Sequence, residues 1–431
     1  MEPVTLLKDL IKINTTNPPG NEAALLACLE KILREKGIAF AHQETAPGRG
    51  NLLAVLPADG VKTKPPLIMM SHADVVEAAC EQWKLPPFEA REEDGYIYGR
   101  GAVDTKQLTV MELMAFLELR ENSTGRCRDV YFLVTSDEES GSSYGLQWFL
   151  DHELVIDGRT LNGRALFTDS DVISEGGGFP VLAGEKEFYL CETGQKACGT
   201  VEFKVKARHA KGPFFGSGDG MARAMALVQE IGSLRMDGRR LKTVEQFEEV
   251  LGGGELSPMM QKILSAMKQN SLTVTMITGR NVNEVKVTCD VRLIPGFARG
   301  DLEAVLEKLS RKWDCDYEIV SLSGGYESNP EGEFLQILEK ATLEVRGLSA
   351  DRAQILPFVS MGSSDGRFLA DTGARVYGYS PVLPWDMTFD SAVTMVHGVN
   401  ERIHRDSVVF GCRVLALAAA EAVRDREGDQ R

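Results

Sequence analysis

The sequence predicts an α/β domain with a mixed sheet that is interrupted by a smaller α+β domain. Short apolar runs that end in polar residues alternate with helical periodicity in the first part of the chain, which is typical of an α/β fold. From about residue 198 the order becomes β-α-β-β-α-β, the order of a ferredoxin-like unit, and the α/β pattern resumes later. A chain of 431 residues is also too long for one compact core. We therefore predict a first domain at 1–197 and 323–431 that surrounds a second domain at 198–322.

Two helices and two strands are predicted at the start of the chain. Helical periodicity covers residues 2–12 and 21–36, and a turn rich in Pro and Gly separates the two helices. Residues 52–56 and 66–72 are apolar runs bounded by Gly, Asn and Pro, so we expect two core strands. The second strand ends in Ser71-His72-Ala73-Asp74, which places a histidine and an acid at its carboxyl end.

A glycine-rich loop and a run of acids follow. The loop leads into a helix predicted at about 106–120, so Asp104 lies at a junction where the helix N-terminus favours negative charge. A buried strand at 131–136 then ends in the acids Asp137, Glu138 and Glu139. Three neighbouring carboxylates that lose solvent also repel one another, which is costly unless a cation or proton neutralises them. We interpret the run as part of a metal site; a solvated acidic turn is the alternative.

The remaining elements complete both domains. In the first domain we predict helices at 143–152, 332–346 and 406–422, strands at 164–168 and 375–379, and a loop that contains Glu175. In the second we predict strands at 200–207, 271–278, 284–292 and 317–322 and helices at 221–234 and 301–313. Residues 236–270 interrupt this unit with an extra, helical segment that has no assigned position, and residues 424–431 form a polar, frayed end.

Charge and composition exclude several classes of partner. A net charge of −15 argues against binding to nucleic acid, which needs clustered Lys and Arg. The N-terminus has no basic, apolar leader, and no apolar run reaches the ~20 residues that span a bilayer. The eight cysteines are scattered without a C-x-x-C pair. These features predict a soluble cytoplasmic protein with reduced, mostly buried thiols.

Several side chains of metal-binding type come from separate loops, most of them near the carboxyl ends of predicted strands, where an open α/β sheet has its ligand crevice. They are His72, Asp104, Glu138, Glu139, Glu175 and His397. Imidazoles and carboxylates together suit zinc, and also cobalt or manganese. Asp169 and Asp171 are alternatives to Glu175, although two acids in a loop are more often solvated. We interpret His42, His152 and His404 as ordinary polar residues.

Five motifs in this order resemble those of one family, the dinuclear zinc enzymes that include aminoacylase, carboxypeptidase S, acetylornithine deacetylase and succinyl-diaminopimelate desuccinylase. The motifs are Ser71-His72-Ala73-Asp74, Gly99-Arg100-Gly101-Ala102-Val103-Asp104-Thr105-Lys106, Ser136-Asp137-Glu138-Glu139-Ser140-Gly141, Ser174-Glu175-Gly176-Gly177 and His397-Gly398-Val399-Asn400-Glu401-Arg402. The likeness runs over nearly the whole chain. It implies a zinc-exopeptidase-like catalytic domain that is interrupted by a lid and dimerisation domain.

The resemblance also implies a set of metal ligands. Asp104 would bridge two zinc ions. His72 and Glu175 would hold one of the ions, and Glu139 and His397 would hold the other.

Two further acids have implied roles in the same site. Asp74 would orient and polarise the neighbouring histidine ligand. Glu138, next to a ligand but not itself one, would be the general base that takes a proton from water and passes it to the leaving amine. Two metal ions about 3.5–4 Å apart suit this division, because they acidify a shared water and polarise the scissile carbonyl.

Four residues resemble the substrate-binding positions of the family. His209 falls where the lid places a histidine that stabilises the oxyanion, with an exposed strand-end histidine as the alternative. Asn281 and Arg292 resemble the Asn and Arg of the lid, although residues 281–284 depart from the family's Asn-Val-Ile-Pro. The planar fork of Arg367 is suited to a substrate carboxylate, and an ion pair with a neighbouring acid is the alternative.

We therefore expect a metal-dependent amidohydrolase that cleaves an amide next to a free amino-acid carboxylate, as an N-acyl amino acid deacylase or a carboxypeptidase. A di- or tripeptidase is the alternative within the enzymes. A non-catalytic relative that only binds ligand is the alternative outside them, and the intact Glu138 argues against it. An edge strand of the lid sheet predicts a homodimer, although monomers also occur in the family.

Overall fold

The computed structural model describes residues 1–206, 220–236, 238–251, 256–281 and 284–425, and for residues 280 and 281 it describes the backbone alone. The helices of this part of the chain are α1 (Pro3–Lys12), α2 (Glu22–Glu35), α3 (Lys106–Asn122), α4 (Leu146–Asp151), α5 (Gly163–Leu166), α6 (Gly220–Ser233), α7 (Lys242–Leu251), α8 (Pro258–Met267), α9 (Arg299–Trp313), α10 (Glu333–Arg346), α11 (Phe389–Met395) and α12 (Arg405–Ala422). None of these helices is both long and apolar enough to cross a membrane.

The strands of the described residues fall into one large sheet and three smaller ones. They are β1 (Ala39–Ala46), β2 (Arg49–Leu56), β3 (Leu67–His72), β4 (Glu92–Glu93), β5 (Tyr96–Tyr98), β6 (Val130–Thr135), β7 (Glu153–Ile156), β8 (Arg159–Asn162), β9 (Asp171–Ser174), β10 (Pro180–Ala183), β11 (Lys186–Gln195), β12 (Ala197–Lys206), β13 (Ser271–Asn281), β14 (Glu284–Leu293), β15 (Asp316–Leu322), β16 (Tyr326–Glu327), β17 (Ala353–Ser360), β18 (Arg375–Gly378) and β19 (Arg402–His404).

The large sheet is mixed, as the sequence predicted. Its described strands run in the order β1-β2-β6-β3-β9-β18-β11-β10, and β16 and β17 also pair with β11. The central strands β6, β3 and β9 are parallel neighbours. Strands β3 and β6 are buried along their whole length, which explains their continuous apolar sequence.

Helices cover both faces of the large sheet. Alternate residues of β2 point to opposite faces, so Leu52 packs in one hydrophobic cluster and Leu53 packs in another. The first cluster contains the apolar faces of α1, α2, α3, α10 and α12. The second, smaller cluster is closed by α4 and by Phe167. This layering leaves the carboxyl ends of the central parallel strands as a crevice.

The second sheet is antiparallel, with the strand order β13-β14-β12-β15. Apolar residues from α6 and α9 pack on one face of it, among them Leu227 and Leu306. The β-α-β-β-α-β order predicted for this region is therefore present. The limits of the two domains, at 198 and 322, remain a prediction.

The segment at 236–270 contains two helices, α7 and α8, and their packing is unexpected. Although both lie in sequence between α6 and β13, their apolar side chains belong to the hydrophobic cluster of the large sheet. Val244 and Phe247 of α7 and Met260 of α8 are buried in that cluster. The segment therefore leaves the second sheet and packs on the first domain.

Two secondary-structure predictions were wrong in one stretch. Residues 164–168, predicted as a strand, contain the short helix α5, because the side chain of Asn162 accepts a hydrogen bond from the backbone N of Ala165 at 2.9 Å and caps the turn. The strand lies later, at β9, in the segment predicted as a loop. The shift matters because β9 leads directly to Glu175.

Candidate metal centre

Neighbouring parallel strands bring the first acidic and histidine side chains together. His72 is the last residue of β3, Glu138 and Glu139 follow β6, and Glu175 follows β9. Because β6, β3 and β9 are parallel and adjacent, their carboxyl ends meet at one edge of the sheet. The strand order thus explains why residues more than a hundred positions apart share one site.

Asp104 stands between two groups of side chains. Its Oδ1 lies 3.2 Å from Nε2 of His72, and its Oδ2 lies 3.1 Å from Nε2 of His397. The first group is completed by Glu175, whose Oε2 is 3.5 Å from Nε2 of His72, and the second by Glu139, whose Oε2 is 3.1 Å from Nε2 of His397. Within each group the candidate ligand atoms lie within 4.8 Å of one another.

Burial and crowding perturb the acids of this site. Burial, reinforced by the Glu175 charge, raises the pKa of Glu138 well above its usual value. Burial likewise raises the pKa of Glu175 to about 7. Burial opposes ionisation of Asp104 too, but hydrogen bonds with His397 and His72 outweigh it and lower the pKa of Asp104.

The two histidines respond in the opposite direction. Hydrogen bonds with Asp104 and then Glu139 raise the pKa of His397 to about 10. Burial disfavours the charged form of His72, but the Glu175 charge and hydrogen bonds with Asp104 and Asp74 hold its pKa well above the usual value. Both shifts show that the acids of the site attract positive charge.

The residues present fit a pair of divalent cations. Imidazole nitrogens and carboxylate oxygens are the ligands that zinc and similar metals prefer. Oε1 of Glu139 is buried and, among the described residues, has no hydrogen-bond partner, so this oxygen is available to a ligand. A single carboxylate, Asp104, offers one oxygen to each group, which is the arrangement of a bridging ligand. The ligand set implied by the resemblance is therefore brought together.

Asp74 joins the two strand ends behind the site. Its carboxylate accepts hydrogen bonds from the backbone N of Glu138 and of Glu139, both at 3.1 Å, and from the side chain of Asn17 at 2.8 Å. Nδ1 of His72 lies 3.0 Å from the main-chain oxygen of Asp74 and 3.4 Å from its Oδ1. These contacts fix the side of the His72 ring that faces away from Asp104.

The three consecutive acids are separated by the backbone. Asp137 has a left-handed conformation, with φ of 66°, and its side chain has partners of its own. It pairs with Arg49 at 3.0 Å and accepts from Asn17 at 3.0 Å. Asp137 is therefore structural. Sequence reasoning missed Asn17 and Arg49, because nothing in a turn and a strand end, both far away in sequence, shows that they meet this acid.

Glu401 is a second buried carboxylate that sequence reasoning left without a role. It accepts hydrogen bonds from the backbone N of Val103 at 2.6 Å and of Asp104 at 3.0 Å, and pairs with Arg100 at 2.7 Å. Arg100 also donates to the main-chain oxygen of Gly398 at 2.9 Å. Glu401 thus ties the loop of Asp104 to the loop of His397. Glu401 lies four residues after the candidate ligand His397, and this closeness in sequence was the available signal for its role.

Of the four predicted substrate-binding residues, the structure describes the side chains of two, Arg292 and Arg367. His209 lies outside the described residues, as does the side chain of Asn281, which ends β13. Arg292 pairs with Asp290 at 3.0 Å and donates to the main-chain oxygen of Met361 at 3.0 Å. These contacts place Arg292 where the second sheet meets the first domain.

Arg367 forms the ion pair that was the alternative for it. Its Nη1 lies 3.3 Å from Oε1 of Glu138, and it donates to Oγ of Ser363 at 2.6 Å and to the main-chain oxygen of Ser364 at 2.9 Å. Only about 8% of the side chain is exposed. In this structure Nη1 of the guanidinium is therefore paired with the acid next to the candidate metal ligands.

The alternative candidates lie elsewhere. Asp171 begins β9, at the opposite end of the strand from Glu175, and pairs with Arg128 at 2.8 Å and Arg375 at 2.7 Å. Asp169 is exposed. The three other histidines also have partners of their own: His42 binds Glu30, His152 stacks on Trp148, and His404 caps α12.

A cavity of about 460 Å³ opens onto the candidate ligands. One end is acidic, with Asp104, Glu138, Glu139 and Glu175 in its lining, and the rest is mostly apolar. Glu192 of β11 also lines it; Tyr326 donates to this buried acid at 2.7 Å, and burial raises its pKa to about 8. The volume is typical of a site for a small molecule.

The chain is similar to several known proteins. Residues 68–421 match the model of peptidase family M20/M25/M40. Aminoacylase-1 of Sus scrofa is 34% identical over 149 residues, which are 34% of this chain and 36% of that protein. A probable succinyl-diaminopimelate desuccinylase of Staphylococcus epidermidis is 24% identical over 339 residues, 75% of this chain and 76% of that protein. The crystal structure of an M20 family metallo-carboxypeptidase of Sulfolobus solfataricus superposes with a TM-score of 0.71 at 18% identity, covering 97% of this chain and 99% of that one.

Proposed function

Because the chain belongs to peptidase family M20/M25/M40, we propose that it is a metal-dependent hydrolase that cleaves an amide next to a free amino-acid carboxylate. The observation that carries the proposal is the position of Asp104, with one carboxylate oxygen near His72 and the other near His397. The aminoacylase and desuccinylase relatives support an N-acyl amino acid as substrate, and the carboxypeptidase neighbour supports a short peptide.

Two zinc ions are the proposed cofactors, with cobalt or manganese as alternatives. Asp104 would bridge them, His72 and Glu175 would hold one, and Glu139 and His397 would hold the other. When bound, such a pair acidifies a water and polarises the scissile carbonyl.

Glu138 is proposed as the general base. It lies beside a candidate ligand, and its Oε1 contacts Arg367, which leaves its second carboxylate oxygen for the reacting water. Its raised pKa suits a group that accepts a proton and then returns it to the leaving amine near neutral pH. Asp74 is proposed as a positioning residue, because it orients His72 and accepts from the backbone N of Glu138.

The direct test replaces the base without changing its shape. Glu138→Gln should lower kcat by at least about 10²-fold, because the water then has no proton acceptor, while the metal content stays at the wild-type value. Glu185→Gln, at an exposed ion pair with Arg352, is the matched control and should behave as wild type. Full activity of Glu138→Gln would remove Glu138 from the mechanism. A chelator should abolish wild-type activity, and added zinc, cobalt or manganese should restore it.

The alternative substrate class is a di- or tripeptide. A panel of N-acetyl amino acids and dipeptides, assayed with the zinc-loaded chain, separates a deacylase or carboxypeptidase from a dipeptidase by the ratio of kcat/KM values. Failure to hydrolyse any member, with both metals bound, would favour a relative that only binds ligand.

Homodimerisation through the second sheet is also proposed. Strand β13 lies at the edge of that sheet, and Met276 and Ile277 on it, with Met221 and Met225 on α6, are exposed. An apolar edge strand beside an apolar helix face suits pairing with a second copy. Sedimentation at several concentrations measures the oligomeric state.

A cytoplasmic location is proposed because all eight cysteines are free.

A further inference from the structure

We propose that helix α8 forms a specificity wall of the active-site cavity, and that its Met259 and Ile263 select substrates carrying an aliphatic or aromatic group. This inference rests on the hydrolase function proposed above. Both residues line the cavity that opens onto the candidate metal ligands, and both come from the segment whose position the sequence did not predict. They are four residues apart, so they lie on one face of the helix.

Other apolar side chains line the same cavity. They are Phe179, which precedes β10, Phe358 of β17, and Phe389 and Val393 of α11. Among the described residues that line the cavity, none is a lysine or an arginine. Beyond its acidic end, the cavity therefore offers favourable contacts to an apolar substrate group.

Helix α8 is capped at its start and anchored to the first domain at its end. At its start, Oγ of Ser257 accepts a hydrogen bond from the backbone N of Met260 at 3.1 Å. At its end, the buried ammonium of Lys196 donates to the main-chain oxygens of Ala266 and Gln269. Lys196 stands between β11 and β12, where the chain passes from the large sheet to the second sheet.

The packing of the preceding helix adds to this support. Val244 and Phe247 of α7 are buried in the same cluster as Phe358 of β17, and Oγ1 of Thr243 donates to Glu327 at 2.9 Å. The wall is therefore fixed to the domain that carries the candidate metal ligands. A rigid support of this kind is what lets one side chain discriminate between substrates of different size.

Hydrophobic burial sets the size of the expected selectivity. Each methylene group that moves from water into the cavity should raise kcat/KM by about fourfold until the space is filled. Met259 is half-buried, so its replacement changes the wall with less effect on the core than replacement of Ile263, which is 6% exposed.

Two substrate series test the proposal with the zinc-loaded chain of 431 residues. The first series lengthens the acyl group from N-acetyl-alanine to N-octanoyl-alanine, and the second enlarges the side chain from N-acetyl-glycine to N-acetyl-phenylalanine. In at least one series, the ratio of kcat/KM for the largest to that for the smallest substrate should fall at least about tenfold in Met259→Lys, because a charge then faces the apolar group. The series that responds identifies which end of the substrate meets α8. Met259→Ala should lower the same ratio by a smaller factor.

The matched control lies on the same helix. Gln261→Ala removes a side chain of similar size from the exposed face of α8 and should keep the wild-type ratio in both series.

Calorimetric binding of N-octanoyl-alanine and N-acetyl-phenylalanine to the wild type and to Met259→Lys separates the two proposals. If the wild type hydrolyses nothing but binds either probe, and Met259→Lys weakens that binding at least about tenfold, the hydrolase function fails and the wall stands. Equal ratios and equal binding in wild type, Met259→Lys and Met259→Ala would overturn the wall, whatever the activity.

Discussion

The two sides of the cavity are built differently. On the acidic side, each candidate ligand comes from the end of a buried strand or from a loop, and Asp74 and Glu401 connect these loops through several hydrogen bonds each. On the other side, hydrogen bonds fix the ends of α8. The side chains of this helix that line the cavity, Met259 and Ile263, are apolar and form no hydrogen bonds with other described residues. The candidate ligands need fixed atomic positions, whereas the apolar lining needs only a suitable shape and polarity. These two groups of side chains thus come from separate helices, strands and loops.

The largest effect should follow from removing the shared acid. Asp104→Asn removes the negative charge that faces both histidines, so both ions should bind weakly and kcat/KM should fall by at least about 10³-fold. Metal analysis of the purified variant measures the loss in both sites. Asp169→Asn, an exposed acid once considered as a ligand, is the control and should keep its metal. Retention of both ions in Asp104→Asn would contradict a bridging role.

A smaller effect should come from the connection behind the ligands. Glu401→Gln keeps the size of the side chain but removes the charge that pairs with Arg100 and accepts from three backbone N–H groups. Metal affinity should fall about 10–100-fold, because the loops of Asp104 and His397 are no longer tied together. Glu318→Gln makes the same change at an exposed ion pair with Lys204. It is the control and should keep the wild-type metal affinity. If Glu401→Gln folds and binds metal as the wild type does, the two loops are positioned without Glu401.

One buried lysine should make the stability of the fold depend on pH. Burial lowers the pKa of Lys106 to about 7, and its Nζ donates to the main-chain oxygens of Leu10 at 3.0 Å and Ile13 at 2.8 Å. An unfolded lysine titrates near pH ~10.4, so between about pH 7 and that value the unfolded chain holds a proton that the folded chain does not. Stability should therefore rise with pH in this window, by about 2 kcal/mol between pH 7 and pH 9 from this group.

Denaturant unfolding at pH 7 and at pH 9 measures this rise. Lys106→Met should be less stable, because two main-chain oxygens lose a donor, and it should lack the rise with pH. Lys308→Met, at an exposed position on α9, should keep the wild-type difference between the two pH values. An identical rise in Lys106→Met would show that Lys106 stays protonated in the folded chain.

Much of the fold could be predicted from sequence periodicity. Strands β3 and β6 have continuous apolar sequences because both of their faces are buried, and the amphipathic pattern of α1 and α12 marks their buried sides. The prediction was wrong at α5 and β9, where a local cap and a short strand of four residues carry too little periodicity to be recognised. The long strand β11, which pairs with four other strands, was not predicted.

The candidate ligands could be predicted because metal-binding side chains are costly to place at the ends of buried strands without a purpose. The partners of the neighbouring acids Asp137 and Glu138 could not be predicted. Arg49 and Asn17 meet Asp137 through contacts between segments far apart in sequence, and no local pattern encodes such a contact. The same holds for Arg367, whose ion pair with Glu138 joins residues 229 positions apart.

By itself, the sequence indicated which side chains could hold metal, since residue type and position at a strand end or in a loop are local properties. Only the tertiary structure decided which partners Asp137 meets and where α7 and α8 pack, because both depend on contacts between segments far apart in sequence. The wall of the cavity belongs to that second class. An amphipathic helix has the same pattern whichever sheet it covers, so only the folded chain shows that α8 lies beside the candidate metal ligands.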